Sequence, residues 1–567
     1  MAGPLTSPAC VRPDPAARPG PAAQPPLGAR ERRHLAAVTV AALALFSYGL
    51  GAGSLWDQDE AKYTQVAVEI LATGDWWTLR WNGEPWFVHP PLFMWLQAVT
   101  ARLVGLSEAT ARWWSAVSQA GVVGVTCLVG RFLYDARTGW LAAGVTATML
   151  QVVVQARLAV FDPTLVLGML AAFYMGLVGQ ATGRRRAQLW AWAWAGLATA
   201  AKGPVGLLLP AAALVMLGAR SGQLRCWRAS LGSGPLIYAA LGLPWYLVET
   251  VRHGWTFLRP VVGYYLVTRF VGVVEEQPGP WWYYAPVLAA GAFPWTAFVP
   301  AALVHLARRG SPSDRVVLLW VGLVVLFYSV AGTKLPNYVL PVYPVLAVGV
   351  ARFWLEAADG APGTGRLFRI SVALLVGTAA FLVAGALAFG IRQYPTETAA
   401  LRAALAPALG VLAAGPLAAA ALAAGGRRQA ALDALLLTLA VAVPVLVHVT
   451  LPAVERHRPI PRLAARLRLL MQPDDALAAI QMRTAPSLVY YARRPVQFLS
   501  TRQDLAQALC RHPRLFLVVP EGAYRAWFAG GLPPHVRAVD REGTLFLLRK
   551  DGPAPCAGVP AARPWRP

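Results

Sequence analysis

The stretch Trp56-Asp57-Gln58-Asp59-Glu60-Ala61-Lys62-Tyr63 sets three carboxylates directly behind the first long apolar run, residues 34–53. A carboxylate at the edge of a membrane costs free energy unless it faces water, a partner or a substrate. Something polar is therefore handled beside a lipid-embedded scaffold. The segment also opens an unusual connection, residues 54–111. Tyr63, Val66, Ile70 and Leu71 recur there at helical spacing, and Trp76, Trp77, Trp81, Trp86 and Trp95 crowd in behind them. Tryptophan-anchored amphipathic helices lying in the interface fit this pattern. Residues 92–106 are apolar but short, and read as re-entrant or interfacial.

Composition agrees. The chain has 567 residues, is 57% hydrophobic and 14% charged, and has a mean hydropathy of +0.48. Soluble domains carry about 25% charged residues, so the class is a polytopic membrane protein. The net charge of +24 would suit nucleic acid. Its arginines, however, sit in short clusters between apolar spans and form no stripe, so no nucleic-acid partner is expected. Five scattered cysteines show no metal-ligand spacing, and a Cys510–Cys556 bridge stays open if the C-terminal part is exported.

A bilayer core takes about 20 apolar residues per helix. Candidate spans lie near 34–53, 112–131, 138–156, 163–182, 187–201, 203–219, 231–250, 283–306, 314–332, 337–353, 367–390, 401–424 and 429–451. That makes about thirteen crossings. One long helix through Lys202-Gly203-Pro204 would hold Lys202 at mid-membrane, at a cost of about 2.5–3.5 kcal/mol. A hairpin of two short helices takes it to a surface, and is the expected form. Arginine placement then orients the chain. Arg30, Arg32 and Arg33 put the N-terminus in the cytoplasm, and alternation puts the clusters at 131–137, 184–186, 220–228, 308–315, 352–369 and 427–428 inside. An odd number of spans exports the C-terminus.

The expected organisation is a disordered cytoplasmic tail at 1–33, a membrane domain at 34–452, an exported α/β domain at 453–550 and a tail at 551–567. The first apolar run lacks a cleavage site and is read as retained. In the exported part, Leu515–Val519 and Thr544–Leu548 read as strands, and Leu463–Met471 and Asp504–Ala508 as helical.

Alternation collects Asp59, Glu60, His89, Arg157, Asp162, Lys202, Arg269, Lys334 and Tyr338 on the outer side, each bordering an apolar span. Carboxylates facing several cations suit transfer of a group off a phosphate: the cations neutralise the leaving phosphate and a carboxylate takes the acceptor's proton. Plainer readings stand beside this one. Asp59 and Glu60 suit a helix N-terminus. His89-Pro90-Pro91 suits a turn as well as a phosphate or metal contact. Arg157 and Asp162 suit a structural ion pair, and Arg269 suits lipid headgroups. Lys202 in a tight apolar hairpin needs an anion, and Lys334 with Tyr338 supplies a cation and a hydroxyl at one mouth. Trp281, Trp282 and Trp295 read as interface anchors.

The ordered series Asp59-Glu60-Ala61-Lys62-Tyr63, Gly74-Asp75-Trp76, His89-Pro90-Pro91-Leu92, Arg157 to Asp162, Lys202-Gly203-Pro204, Pro294-Trp295 and Lys334-Leu335-Pro336-Asn337-Tyr338 resembles one family over nearly the whole chain. It is the group of bacterial aminoarabinose transferases of lipid A and protein O-mannosyltransferases, with the GT-C fold. The resemblance implies a many-helix membrane core, interfacial helices in the first outer loop, and, in the aminoarabinose branch, an exported α/β domain. It also implies a polyprenyl-phosphate sugar donor and Asp59 as the catalytic carboxylate. Lys202, Arg269, Lys334 and Tyr338 match positions that resemble donor-phosphate or pocket contacts.

Two departures stand out. Val88-His89 replaces the Glu-Lys typical of the aminoarabinose branch, which removes the glutamate on which a metal site would be built. The loop near Tyr264–Phe270 lacks the histidine often found there.

The expected activity is inverting glycosyl transfer on the outer face of a bacterial inner membrane, by a monomer. The acceptor is a glycolipid (such as lipid A) or a protein. No cofactor is demanded, though a divalent metal is compatible. The rivals are a transporter or flippase of lipid-linked sugars, which would show two similar halves, and a non-catalytic envelope assembly subunit. No internal repeat is visible.

Overall fold

The computed structural model describes residues 27–57, 59–273, 277–393, 398–482, 485–533 and 535–552. Most of the two expected tails and a Cys510–Cys556 bridge lie outside the described residues. Helix Ala29–Ser47 takes in the last residues of the segment expected as a tail, 1–33. Glu31 explains the early start: its carboxylate accepts from the Gly28 N–H at 3.0 Å and pairs with Arg131 at 3.1 Å.

The chain forms two compact units. The first contains the residues up to Gly51 together with Phe87–Thr450, and the second contains Ala52–Trp86 together with the residues from Leu451 onward. Residues 52–86, expected within the membrane domain, thus fold with the C-terminal part.

The first unit is helical. Among the described residues, six helices are long and apolar enough to cross a membrane, or eight if two bent pairs each count as one span. Thirteen crossings were expected, and proline accounts for part of the difference. The expected span 231–250 breaks into Gly234–Gly242 and Pro244–His253, since Pro244 has no N–H to continue the ladder. The span near 283–306 bends by 118° between Gly291 and Trp295, and that near 138–156 by 64° between Ala147 and Leu150. The first bend turns Trp295 inward. It is fully buried, with its indole N–H on Thr148 Oγ1 at 3.0 Å, and is no interface anchor. Trp281 and Trp282, by contrast, are exposed.

Glycines set the closest approaches. A Cβ on Gly139 would lie 2.5 Å from the Cys127 carbonyl oxygen, so helix Ala136–Ala147 presses directly on Glu108–Leu133. The expected hairpin is present: helix Arg185–Lys202 ends at Gly203, whose φ of +118° suits only glycine, and Val205–Ser221 returns. At Gly206 a Cβ would meet the Ala198 carbonyl carbon at 2.6 Å. Hydrogen bonds and ion pairs tie together loops expected inside. Tyr134 donates to Asp314, Arg352 bridges Asp135 and Glu356, and Arg137 pairs with Asp359.

In the second unit, helix Asp59–Thr73 precedes a small antiparallel hairpin of β1 (Arg80–Trp81) and β2 (Glu84–Pro85). The C-terminal part builds a five-stranded sheet from β3 (Ala476–Ile480), β4 (Gln497–Leu499), β5 (Arg514–Pro520), β6 (Val536–Glu542) and β7 (Leu545–Asp551), in the order β4-β3-β5-β7-β6. β3 is parallel to both β4 and β5, and β7 is antiparallel to β5 and β6. Side chains alternate along β5. Phe516 and Val518 pack with Leu463, Leu467 and Leu488 on one face, while Leu515, Leu517 and Val519 pack with Leu505 and Ala508 on the other. With both faces covered, the central strand reads as one apolar run.

Candidate active site

Asp162 opens helix Asp162–Thr182, with Pro163 next to it in the first turn, where no backbone N–H is needed. It is 4% exposed. One carboxylate oxygen receives Lys202 Nζ at 2.5 Å, and the other accepts from Asn337 Nδ2 at 2.9 Å. A buried carboxylate needs such partners to remain charged. Lys202 also lies 5.0 Å from the Phe161 ring centre and 5.1 Å from that of Tyr338. Aromatic faces attract an ammonium by their negative quadrupole, so the amine is held from three sides.

Tyr338 extends the cluster. Its hydroxyl accepts from Arg269 Nε at 2.9 Å, and its ring lies 5.0 Å from that of Tyr328. His89 sits with its ring 4.5 Å from Phe161 and 6.3 Å from Tyr265. Aromatic contacts thus link His89, Phe161, Lys202 and Tyr338, with Asp162 paired to Lys202 and Arg269 bonded to Tyr338.

Two expected cations serve the scaffold instead. Arg157 makes no pair with Asp162. Its Nη1 donates to the carbonyls of Phe46 and Tyr48 at 3.1 and 2.7 Å, capping the end of the first helix. Burial, helped by neighbouring Arg112, pushes its guanidinium down to about 10, which keeps it charged at neutral pH. Lys334 is 6% exposed and donates to the carbonyls of Ser329 and Ala331 at 3.1 and 2.6 Å. Cations at a helix C-terminus satisfy carbonyls that have no intrahelical partner. Both residues were expected at the donor, and the backbone ends take them.

The acid pair divides as well. Asp59 is exposed at the start of its helix. Glu60 is 3% exposed and turns back to accept from the Trp56 N–H at 2.9 Å. Glu60 therefore caps the helix, while the Asp59 side chain lies at the surface.

Sequence reasoning missed Asn337 as a site residue. It lies within the quoted run 334–338 but carries no charge to mark it. Glu249, fully buried, and His253, 3.5 Å away, were also unnoticed. Among the described residues no group of three or more His, Cys, Asp or Glu could hold a metal ion. Beside Pro336, one residue before Asn337, lies a cavity of about 460 Å³ lined by Leu150, Val287, Ala290, Phe381 and Leu382 among others. Its wall is almost wholly apolar.

Residues 88–247 match the dolichyl-phosphate-mannose-protein mannosyltransferase family. The chain is 32% identical over 323 residues to undecaprenyl phosphate-alpha-4-amino-4-deoxy-L-arabinose arabinosyl transferase 1 of Sodalis glossinidius, covering 54% of this chain and 56% of that one. It is 30% identical over 369 residues to the corresponding transferase of Pectobacterium carotovorum, covering 62% and 65%. The match thus spans less than two thirds of either relative's length. The crystal structure of ArnT from Cupriavidus metallidurans bound to undecaprenyl phosphate superposes with a TM-score of 0.75, at 21% identity, over 93% of this chain and 99% of that one. The likeness read from the motifs is borne out, and the fold is shared.

Proposed function

We propose that this chain, a multi-pass membrane protein with the GT-C fold, moves a sugar from a polyprenyl-phosphate donor to an envelope acceptor, with inversion. The observation that carries this reading is the run of contacts joining His89, Phe161, Lys202, Tyr338 and Arg269, with Pro336 of the same turn lining a greasy cavity. A phosphate on a long hydrocarbon chain asks for that combination. The apolar cavity takes isoprene units, and the cations take the phosphate.

In the transfer, an acceptor oxygen attacks C1 of the sugar while the C1–O bond to phosphate breaks. The phosphate leaves with the bonding electron pair, its charge balanced by Lys202, Arg269 and His89, with Tyr338 holding Arg269. The acceptor's proton passes to Asp59. Attack opposite the leaving group inverts the configuration at C1. The names of the relatives make an undecaprenyl-phosphate aminopentose the first donor to try, with a lipid A-like glycolipid or a protein as acceptor. The reaction takes place on the outer face of a bacterial inner membrane, by a monomer. About thirteen crossings, the shorter and bent helices included, place the N-terminus in the cytoplasm and residues 453–550 outside.

The test uses full-length protein in liposomes, radiolabelled polyprenyl-phosphate sugars and envelope extract as acceptor. Asp59→Asn is expected to lower turnover about 100-fold to 10,000-fold, with donor binding retained. Lys202→Ala is expected to weaken donor binding. Equal transfer by wild type and Asp59→Asn ends the assignment of the base, and no transfer from any donor ends the transferase reading.

A further inference from the structure

The four residues 54–57 lead into the helix that carries Asp59, and side chains and an amide from 455–491 meet each of them in turn. The Ser54 N–H donates to Glu455 Oε2 at 3.1 Å, and the Ser54 carbonyl accepts from Arg458 Nη1 at 2.8 Å. The Leu55 N–H donates to the Tyr491 hydroxyl at 2.7 Å, and the Leu55 carbonyl accepts from Arg458 Nη2 at 2.6 Å. The same guanidinium lies 4.6 Å from the ring centre of Trp56. Asp57 Oδ1 accepts from the Ser487 N–H at 2.9 Å, in the first turn of helix Pro486–Ala492. All of these residues belong to the second unit.

Connecting segments usually leave their backbone to water and move accordingly. Here backbone groups of Ser54 and Leu55, the ring of Trp56 and the carboxylate of Asp57 are all engaged. Arg458 does the most, since its planar fork bonds two successive carbonyls while its face covers an indole. Its side chain is 15% exposed, so the bonds are sheltered from solvent. A catalytic carboxylate works only in the right geometry, and a misplacement of about 1 Å costs on the order of 100-fold.

We infer that Arg458 is the positioning residue for Asp59, with Asp57 as a second clip, and that the C-terminal α/β part acts in the reaction by holding the acid segment. Arg458 touches no reacting atom in this scheme. The inference rests on Asp59 being the base of the proposed transfer.

The experiment compares full-length wild type, Arg458→Ala, Asp57→Ala and Asp57→Asn in liposomes by hydrogen exchange and by transfer from the polyprenyl-phosphate sugar that wild type uses. In Arg458→Ala, amides 55–57 are expected to lose protection while those of β5 keep it, which shows that the sheet is still folded. Turnover is expected to fall about 100-fold with the KM for donor unchanged, and added guanidinium is expected to recover part of it. Asp57→Asn, which keeps an oxygen acceptor, is expected to outperform Asp57→Ala. Unchanged turnover despite lost protection overturns the inference, as does Asp57→Asn falling as far as Asp57→Ala. A wild type that transfers nothing instead defeats the transferase reading and takes this inference with it.

Discussion

Asp162 serves Lys202 and Asn337 with separate oxygens, which gives its carboxylate two tasks: to neutralise an amine in an apolar hairpin and to fix the 336–338 turn. Removing the charge while keeping the shape separates them. Asp162→Asn leaves a buried ammonium without its counter-ion, a change that costs about 3–5 kcal/mol. The variant is expected to unfold at a markedly lower temperature in detergent, yet whatever remains folded should bind undecaprenyl phosphate no more weakly than wild type. Loss of that binding with unchanged stability would reverse the roles given to this pair. Charges in apolar surroundings are what sequence shows best, and so Asp162 and Lys202 were legible. Asn337 was not, because an uncharged amide in a turn looks ordinary and its partner is 175 residues away. Arg157 and Lys334 gave the same signal as Lys202 and met a different fate. A sequence announces a cation but not the carbonyls at a neighbouring helix end that will claim it.

At the level of elements, the hairpin at Gly203 decides where Lys202 stands. Gly206 lets the second helix approach the backbone of the first at Ala198, so Gly206→Val forces the two apart. Overpacking of this kind costs about 1–3 kcal/mol. The expected outcome is a lower melting temperature together with weaker binding of undecaprenyl phosphate, read on the same sample, and full binding would detach the hairpin from the site. The hairpin was readable because lysine, glycine and proline adjoin between two apolar pieces. β5 and β7 were readable for the same kind of reason, as apolar β-branched and leucine-rich runs. β3, with the sequence Ala-Leu-Ala-Ala-Ile, was missed because alanine suits a helix as well. β6 was missed because four of its seven residues are charged, as suits an edge strand.

For the whole molecule, the arginine pattern makes a geometric statement: loops assigned to one side should meet each other. The Tyr134, Asp135, Asp314, Arg352 and Asp359 contacts join three such loops in the first unit. The side itself is open to test. Gln503→Cys, in a chain lacking Cys510, is expected to react with an impermeant thiol reagent added outside intact cells, and labelling only after permeabilisation would reverse the orientation. Organisation at this scale was the hardest to foresee, since nothing in residues 52–86 advertises that they pair with a stretch some four hundred positions later. That pairing has a consequence for biosynthesis. Helix Asp59–Thr73 is among the first parts to leave the ribosome, but the partners of its leading residues, Glu455, Arg458, Ser487 and Tyr491, are among the last. Through most of translation these four partners are still missing, so a chain cut short before residue 455 lacks the side chains that hold residues 54–57.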